Sequence, residues 1–450
     1  TWVAKRVSGF HFICQAQGET FMDTRVIYTQ LLSSIQFPPF LAMEYIATQP
    51  AVESPEQAAY DAVHTCPDIA RVRPGETVAL TAGSREVYDI VGILRGVIRA
   101  VREQGGVPFI VPAMGSHGGA TAEGQVRVLE HFGITEEALG VEIRSSMETV
   151  LVGHTQDGYP VHLDRIANAA DHIIPIGRVK PHTDFRGPVE SGVMKMLAIG
   201  LGKQYGASLC HKLGFPNMGK SVWNFGSVIL ENCRVLMGLA VVENGEHRTA
   251  RIEGIPAAQI RKREPELLVY AKSLMPRIPF DNLDVLLVSE IGKDISGAGM
   301  DPNVTGRSVT LGEFWPHAEK IGVFNITSVS DGNAAGIGNA DAITSQMYRQ
   351  IDRLPMYINS ITCRDTGGAR IPTVMDTQEL VLRYLLYTCI RRKEAQDQPR
   401  IVWIQNTACL RRIYISEALA HEARQLKDFR VTCESRPLEI NKDGELRFPE

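Results

Sequence analysis

Short apolar strands alternate with helices between residues 54 and 144, and Gly-rich turns join them. Consecutive strands that are separated by a helix pair in parallel, so this alternation predicts a doubly wound parallel sheet. The fold class that we expect is therefore α/β. Strands are predicted at 77–82, 108–112 and 141–144, and helices at 54–64, 88–104 and 122–132.

A second alternation of strands and helices begins near residue 283. Strands are predicted at 283–290, 321–326 and 400–406, with helices at 341–352 and 378–390. Pro276 and Pro279 precede this part, and a chain of this length favours more than one domain. We expect a poorly structured lead-in at 1–38, an N-terminal domain at 39–277 and a smaller C-terminal α/β domain at 278–450.

Composition excludes several classes of partner. The chain has 47 basic and 51 acidic residues without a basic stripe, which argues against nucleic acid or anionic membrane as a partner. No apolar run approaches the roughly 20 residues of a membrane span. The eight cysteines form no CxxC pair, so we expect a reducing, cytoplasmic setting without a cysteine-rich zinc module.

Three polar side chains follow predicted strands. Arg85 follows the strand at 77–82, His117 lies in AMGSHGGAT after the strand at 108–112, and His182 follows the apolar run 170–176. Ligands of parallel sheets bind beyond the carboxyl ends of the strands, so these residues are expected at one site. Histidine suits proton transfer near neutral pH, and the planar arginine fork suits a carboxylate.

Lys195 and His211 follow in the next segment. Lys195 lies in SGVMKMLAIG among apolar neighbours, where it either extends to solvent or becomes a nucleophile of lowered pKa. A straight helix would hold His211 about 24 Å from Lys195. Gly200 and Gly202 interrupt that helix, so a turn can bring both side chains to one ligand.

Two further segments carry polar groups. Residues 214–221 read GFPNMGKS and match the phosphate-binding pattern GxxxxGK[ST], but no strand precedes them, so a P-loop nucleotidase is the less favoured alternative. The segment 292–307 follows a buried strand and is expected to face the same cleft. It offers Lys293, Asp301, Asn303, Thr305 and Arg307.

The combination of GSHGGAT, VKPH and SGxxK with a histidine 16 residues later resembles the nickel-dependent lactate racemase family. The resemblance extends from about residue 40 onward and includes the related 2-hydroxy acid racemases and epimerases. It implies an isomerase with two α/β domains around a cleft, the first being catalytic and cofactor-binding. It also implies a nickel-pincer nucleotide, a pyridinium mononucleotide that holds nickel through a ring carbon and two sulfurs.

By this resemblance, Lys195 tethers the cofactor through a thioamide and His211 is the nickel ligand. His117 and His182 are the acid/base pair that exchanges protons with the substrate while hydride passes to the cofactor. Arg85 helps to hold the substrate. The remaining contacts to the cofactor would come from Ser84 and Arg307.

The sequence departs from the lactate enzymes between His182 and Lys195. This segment is longer and carries Asp184, Arg186 and Glu190, which suggests a larger or more polar 2-hydroxy acid than lactate, such as a sugar acid. The expected partners are that small acid and, transiently, the enzymes that make the cofactor. A non-catalytic relative that only binds the nickel nucleotide is the alternative function, and homo-oligomer formation stays open.

Overall fold

The computed structural model describes residues 24–85, 87–309, 315–390 and 398–448. Most of the expected lead-in, residues 1–23, lies outside this part. The remainder is ordered, because Thr24–Leu32 is a helix and Leu32 is buried in an apolar cluster with Leu385. The segment 1–38, which was expected to be poorly structured, therefore contains a packed helix at Thr24–Leu32. Its apolar residues pack on a helix more than 300 positions later, which the local sequence does not reveal.

The strands are numbered in chain order. In the first part of the chain they are β1 (Phe40–Tyr45), β2 (Thr77–Ala82), β3 (Val107–Pro112), β4 (Thr149–His154), β5 (Pro160–Asp164), β6 (His172–Ile174), β7 (Ile176–Arg178), β8 (Met237–Glu243) and β9 (Thr249–Pro256). In the second part they are β10 (Leu283–Ile291), β11 (Ala318–Ile326), β12 (Ala342–Thr344), β13 (Thr373–Met375), β14 (Ile401–Asn406), β15 (Cys409–Ser416), β16 (Phe429–Val431), β17 (Glu439–Ile440) and β18 (Leu446–Arg447).

Helices cover the faces and ends of these strands. The longer ones are Thr24–Leu32, Pro55–His64, Ile90–Glu103, Ala122–His131, Lys203–Lys212, Phe215–Asn232, Ile260–Leu274, Arg353–Cys363 and Gln378–Thr388. The shorter α-helices are Glu136–Leu139, Arg165–Ala169, Val193–Lys195, Pro302–Thr305, Ser345–Gln350 and Ala420–Ala423. In the part of the chain that the structure describes, no helix combines the length and the apolar character that a membrane span requires.

The mixed α/β class is confirmed, and the predicted strands 77–82 and 108–112 form as β2 and β3. They pair in parallel, with β6 on the other side of β2, in a three-stranded sheet. A second sheet contains β7, β8 and β9. The predicted strand 141–144 makes only one bridge, between Ile143 and Ile110. The run 170–176 divides at Pro175 between the two sheets, because proline has no N–H to continue a ladder.

The largest sheet lies in the second part of the chain. It has eight strands in the order β13-β12-β11-β10-β14-β15-β1-β16, and β10, β11, β12, β13 and β14 are parallel. β1 belongs to this sheet, where it pairs antiparallel with β15 and β16, although it was predicted with the N-terminal domain 39–277. The predicted helix 341–352 begins instead as β12 and becomes helical only from Ser345. The boundary near 278 stays a prediction.

The two parts of the chain meet at the carboxyl ends of their parallel strands. Arg186, in the loop after β7, donates a hydrogen bond of 2.6 Å to Asn303, in the segment after β10. Asn303 in turn donates to the backbone carbonyl of His182 at 3.3 Å. A methyl group built on Gly297 would lie 3.7 Å from Nη2 of Arg85, so this loop also faces the loop after β2. A cleft lined by strand-end loops results.

Candidate active site

The loops after β2 and β3 bring Ser84 to His117. Their strands are parallel neighbours with Ala82 opposite Pro112, so the two loops leave the sheet side by side. Ser84 Oγ lies 2.5 Å from Nδ1 of His117. Because Nδ1 is engaged, Nε2 is the nitrogen of His117 that remains for a ligand. The structure therefore brings these two strand ends together.

The structure holds the His182 ring in one orientation. The backbone N–H of Asp184 donates to Nδ1 at 3.1 Å, and the ring stacks on Phe185 with centroids 4.2 Å apart. A nitrogen that accepts a hydrogen bond carries no proton, so the neutral ring bears its proton on Nε2. Burial lowers the pKa of His182 well below its usual value, and the nearby charges of Lys195 and Lys180 act in the same direction.

Glu190 anchors the loop that carries His182. Its side chain is buried, accepts the backbone N–H of His182 at 2.7 Å and pairs with Lys272 at 2.7 Å. Arg186 lies 3.4 Å from the same carboxylate. Two of the three charged residues between His182 and Lys195 are thus used to shape the loop, and they provide no evidence about the size of a substrate.

Lys195 ends the short helix Val193–Lys195, which continues into a π-helical turn at Met196–Gly200. Buried Glu264 accepts the N–H of Met194 at 3.0 Å and so holds the start of this helix. Burial, followed by the charge of Arg85, lowers the pKa of Lys195 to about 7, against a partial opposing effect of Asp184. The amine is therefore available as a nucleophile at neutral pH.

The chain reverses between Lys195 and His211 as expected, but the glycines do not make the turn. Gly202 has an ordinary φ of −64°, whereas Lys203 has a φ of 53°, in the left-handed region that favours glycine. His211 lies on the helix that follows, Lys203–Lys212. The reversal brings it within electrostatic range of both Lys195 and His117.

His211 has a buried ring nitrogen, Nδ1, which finds no hydrogen-bond partner among the described residues. Burial lowers its pKa, followed by the charges of Lys195 and of Arg364 from the second part of the chain. A neutral imidazole with an uncommitted nitrogen has the donor chemistry of a metal ligand. His211 thus fits the role of metal ligand that the resemblance implied. The support is its unpartnered ring nitrogen, which does not depend on the sequence spacing from Lys195.

The cleft is rich in positive charge. Burial lowers the pKa of Lys180 to about 8, and the charge of Arg178 acts in the same direction. The pKa of Lys293 is also lowered to about 8, mainly by burial and secondly by the charge of Arg85. Partial withdrawal from water lowers the pKa of His117 to about 4, and the charges of Arg85 and Lys195 act in the same direction. The residue as a whole is nevertheless exposed. Such a site attracts carboxylates and phosphates. Lys180 was missed by the sequence analysis, although it directly precedes Pro181 and His182 at a strand end.

Arg307 does not take the role that was expected of it. One of its terminal nitrogens bonds Asp341 at 2.5 Å, and the other bonds the carbonyls of Ala318 and Glu319 at 2.9 and 2.7 Å. The whole fork is therefore used to clamp β11 to its neighbours. A cofactor contact from Arg307 is not supported by this geometry.

The GKS motif is not a P-loop. Residues 214–221 form the start of the helix Phe215–Asn232, and the element before them is the helix Lys203–Lys212. Lys220 pairs at the surface with Asp157 at 3.0 Å. Without an upstream strand and a loop, the backbone cannot cradle a phosphate in the required manner.

A group of metal-ligand type lies away from the cleft, and it contains Asp284, Glu319 and Cys389. Backbone N–H groups already bind both carboxylates, from Arg400 to Asp284 at 2.7 Å and from Ile390 to Glu319 at 2.5 Å. Asp284 stands at the start of β10, whereas the cleft loops follow its end. The group therefore ties strand ends together and is separate from His211.

A family model described as lactate racemase N-terminal domain matches residues 67–217. The structure of the lactate racemase apoprotein from Thermoanaerobacterium thermosaccharolyticum is similar at 11% identity, over 82% of this chain and 98% of that one, with a TM-score of 0.49. A crystal structure of a Thermotoga maritima protein is similar at 14% identity, over 62% and 72% of the chains, with a TM-score of 0.42.

Among curated proteins, no sequence matches the chain. The matched span 67–217 contains the five cleft residues that the sequence singled out, which are Arg85, His117, His182, Lys195 and His211. Over residues 67–217, the chain is therefore similar to the lactate racemase N-terminal domain.

Proposed function

We propose that the chain is a racemase or epimerase that inverts C2 of a 2-hydroxy acid with a nickel-pincer nucleotide tethered to Lys195. The observation that carries the proposal is the pair of neutral histidines, His117 and His182, on two loops of one cationic cleft. Each ring has Nδ1 engaged by a neighbour, which leaves Nε2 for the substrate. Inversion needs proton-transfer groups on both sides of a carbon, and one histidine would not suffice.

The residues present fit the cofactor. The Lys195 amine, with a pKa of about 7, is suited to a covalent link, and the buried, unpartnered nitrogen of His211 is suited to a metal. When bound, the nickel-pincer nucleotide would supply the hydride acceptor. The positive cleft, including Arg85, Lys180 and Lys293, would balance its phosphate and the carboxylate of the substrate.

The two histidines differ in their starting forms. His182 carries its proton on Nε2 and can donate it to an oxygen. His117 can accept a proton at Nε2 when its Nδ1–H donates to Ser84. His117 then accepts the hydroxyl proton on one side of C2. After the carbonyl group has rotated to present its other face, His182 returns a proton to the same oxygen.

The test is co-expression with the cofactor-synthesis enzymes, which are the transient partners that this proposal requires. Intact-protein mass spectrometry and metal analysis are expected to find one nucleotide adduct at Lys195 and one nickel per chain. Lys195→Arg should lose the adduct, and His211→Ala should lose nickel while keeping the adduct. Chiral chromatography of 2-hydroxy acids then measures epimerisation. A loaded protein that inverts none of them would be a non-catalytic relative, and an unloaded protein would overturn the proposal altogether.

A further inference from the structure

Both backbone polar groups of His182 are bound by side chains. Its N–H donates to a carboxylate oxygen of Glu190 at 2.7 Å, and its carbonyl oxygen accepts Nη1 of Arg186 at 2.6 Å. The ring is held in turn, because Nδ1 accepts the N–H of Asp184 at 3.1 Å. These three partners belong to the same loop as His182. A fourth contact, to the same carbonyl oxygen at 3.3 Å, comes from Asn303 in the second part of the chain.

The side chain of Asn303 makes three hydrogen bonds, with partners of opposite kinds. Oδ1 accepts Nη2 of Arg186 at 2.6 Å, whereas Nδ2 donates to the carbonyl of His182 and, at 2.8 Å, to Oδ1 of Asp301. The arginine side chain only donates, and a carbonyl or a carboxylate only accepts. These partners therefore determine the orientation of the amide. A carboxylate or an ammonium in its place could satisfy only one of the two sides.

Asn303 lies on the short helix Pro302–Thr305, which is itself anchored. Asp301 caps this helix by accepting the N–H of Asn303 at 2.9 Å. The N–H of Asp301 donates to the hydroxyl of Thr407, a buried residue that directly follows β14, at 3.0 Å. The position of Asn303 is therefore set by the ends of β10 and β14, and it does not depend on the loop that carries His182.

We propose that Asn303 is a positioning residue for His182, through which the second part of the chain sets the direction of the His182 imidazole. Proton transfer by this imidazole rests on the proposed function, whereas the support of its backbone does not. A rotation of the His182 peptide displaces Nε2, and a misplacement of about 1 Å at a reacting group can lower a rate about 100-fold. Loss of Asn303 affects proton transfer more than binding, because Arg85 and Lys195 lie on other segments.

Hydrogen–deuterium exchange of the cofactor-free protein, read by peptide mass spectrometry, tests this support directly. Asn303→Leu keeps the approximate size of the side chain and removes its polar atoms. Arg186→Met removes the link from the other side and is the second variant if the first fails to fold. Peptides that cover residues 180–187 contain the amides of His182 and Asp184, both of which are hydrogen-bonded in wild type. We expect each variant to speed their exchange about fivefold or more, in line with the loss of one hydrogen bond.

Kinetics of the cofactor-loaded protein separate positioning from binding. Asn303→Leu is expected to lower kcat about 10–100-fold, with KM within about threefold of wild type and with the Lys195 adduct and the nickel retained. The double variant with Arg186→Met should be little worse than Arg186→Met alone, because both side chains act on one carbonyl group. Asn217→Ala is the control, since this exposed amide donates to the carbonyl of Leu213, four residues earlier, and it should leave kcat and exchange unchanged.

Unchanged exchange in residues 180–187 would overturn the inference. So would faster exchange that extends to β2 and β3, because it would show a general loss of stability. A normal kcat in loaded Asn303→Leu would overturn it as well. Failure of the proposed function gives a different result. If wild type takes up no nickel nucleotide, or inverts no 2-hydroxy acid, faster exchange confined to residues 180–187 still supports Asn303 as the residue that positions His182.

Discussion

Lys203 Nζ lies 3.3 Å from Oδ2 of Asp164, and neither side chain exposes any surface to solvent. The same ammonium donates to the carbonyl of Pro112 at 2.5 Å and to Oε1 of Gln125 at 3.0 Å. Gln125 then donates to the carbonyl of Gly115 at 2.9 Å, two residues before His117. One buried charge pair therefore connects the turn between Lys195 and His211 to the loop of His117.

Removing the lysine of this pair should be strongly destabilising. Burial lowers the pKa of Lys203 and raises that of Asp164, so each charge is maintained largely by its partner. We expect Lys203→Met to cost about 3–5 kcal/mol in the free energy of unfolding, since it leaves a buried carboxylate without a counterion. The double variant with Asp164→Leu should regain a large part of that loss. Urea unfolding measures both, and a cost below about 1 kcal/mol for the single variant would contradict the interpretation.

Glu264 should make stability depend on pH. Burial raises its pKa to about 8, against roughly 4.3 in the unfolded chain, so the folded state keeps a proton that the unfolded state releases. Its contribution is complete below about pH 4.3 and is lost as the pH rises towards about 8.

Urea unfolding between pH 5 and pH 8 tests this expectation. The stability of wild type relative to Glu264→Gln should fall as the pH rises. The contributions of histidines and other titrating groups cancel in that difference, so the fall reports on Glu264 alone. Glu266→Gln, whose side chain is 49% exposed, is the matched control and should leave the pH dependence of wild type intact. A difference between wild type and Glu264→Gln that stays constant with pH would refute the assignment.

Lys195 should react at neutral pH. With a pKa of about 7, its amine is expected to be acetylated with a midpoint near pH 7, whereas ordinary lysines have a midpoint near pH 10.4. Competitive labelling with acetic anhydride, read by peptide mass spectrometry from pH 6 to pH 10, measures the midpoint. Asp184→Asn should lower it further, because the carboxylate partly offsets the surrounding positive charges. An unshifted midpoint would show that the cleft does not activate this amine.

Gly192 should tolerate no side chain. A Cβ built there would lie 2.2 Å from Oε1 of Glu264, the carboxylate that holds the start of the Lys195 helix. We expect Gly192→Ala to destabilise the protein by about 1–3 kcal/mol and to reduce labelling of Lys195. Gly158→Ala is the control, since that position also has positive φ but no atom within 4 Å. Similar thermal unfolding of the two variants would exclude the steric explanation.

His182 should be needed for turnover and dispensable for cofactor binding. In loaded protein, His182→Gln is expected to lower kcat about 10²–10⁴-fold while the Lys195 adduct and the nickel content stay as in wild type. His131→Gln changes an exposed histidine at the end of a helix and should leave kcat unchanged. If the first variant lost nickel as well, His182 would act on the cofactor and not on the substrate.

Local patterns were sufficient for part of this site. The strands before Arg85 and His117 are short apolar runs that end in glycine-rich turns, and both β2 and β3 form where the pattern indicates. Parallel pairing then follows from the intervening helix, and it places the two loops together. The reactive setting of Lys195 was also visible, since its neighbours are apolar.

Other features depend on contacts between distant parts of the chain. The turn before His211 is made by Lys203 because Asp164, Gln125 and Pro112 hold its buried ammonium, and nothing near residue 203 announces this. From its position in the loop after β10, Arg307 was expected to bind a ligand. In the structure its guanidinium is paired with Asp341 instead.

The sequence by itself therefore determined the α/β class, the strand-end loops and the chemistry of the residues in the cleft. Only the tertiary structure decided which side chains meet there and which are used to hold the fold. The physical reason is the distance along the chain over which each of these determinants acts. Backbone periodicity and strand-end position act over a few residues, whereas burial, charge pairing and the completion of hydrogen bonds are set by whatever segment packs against them.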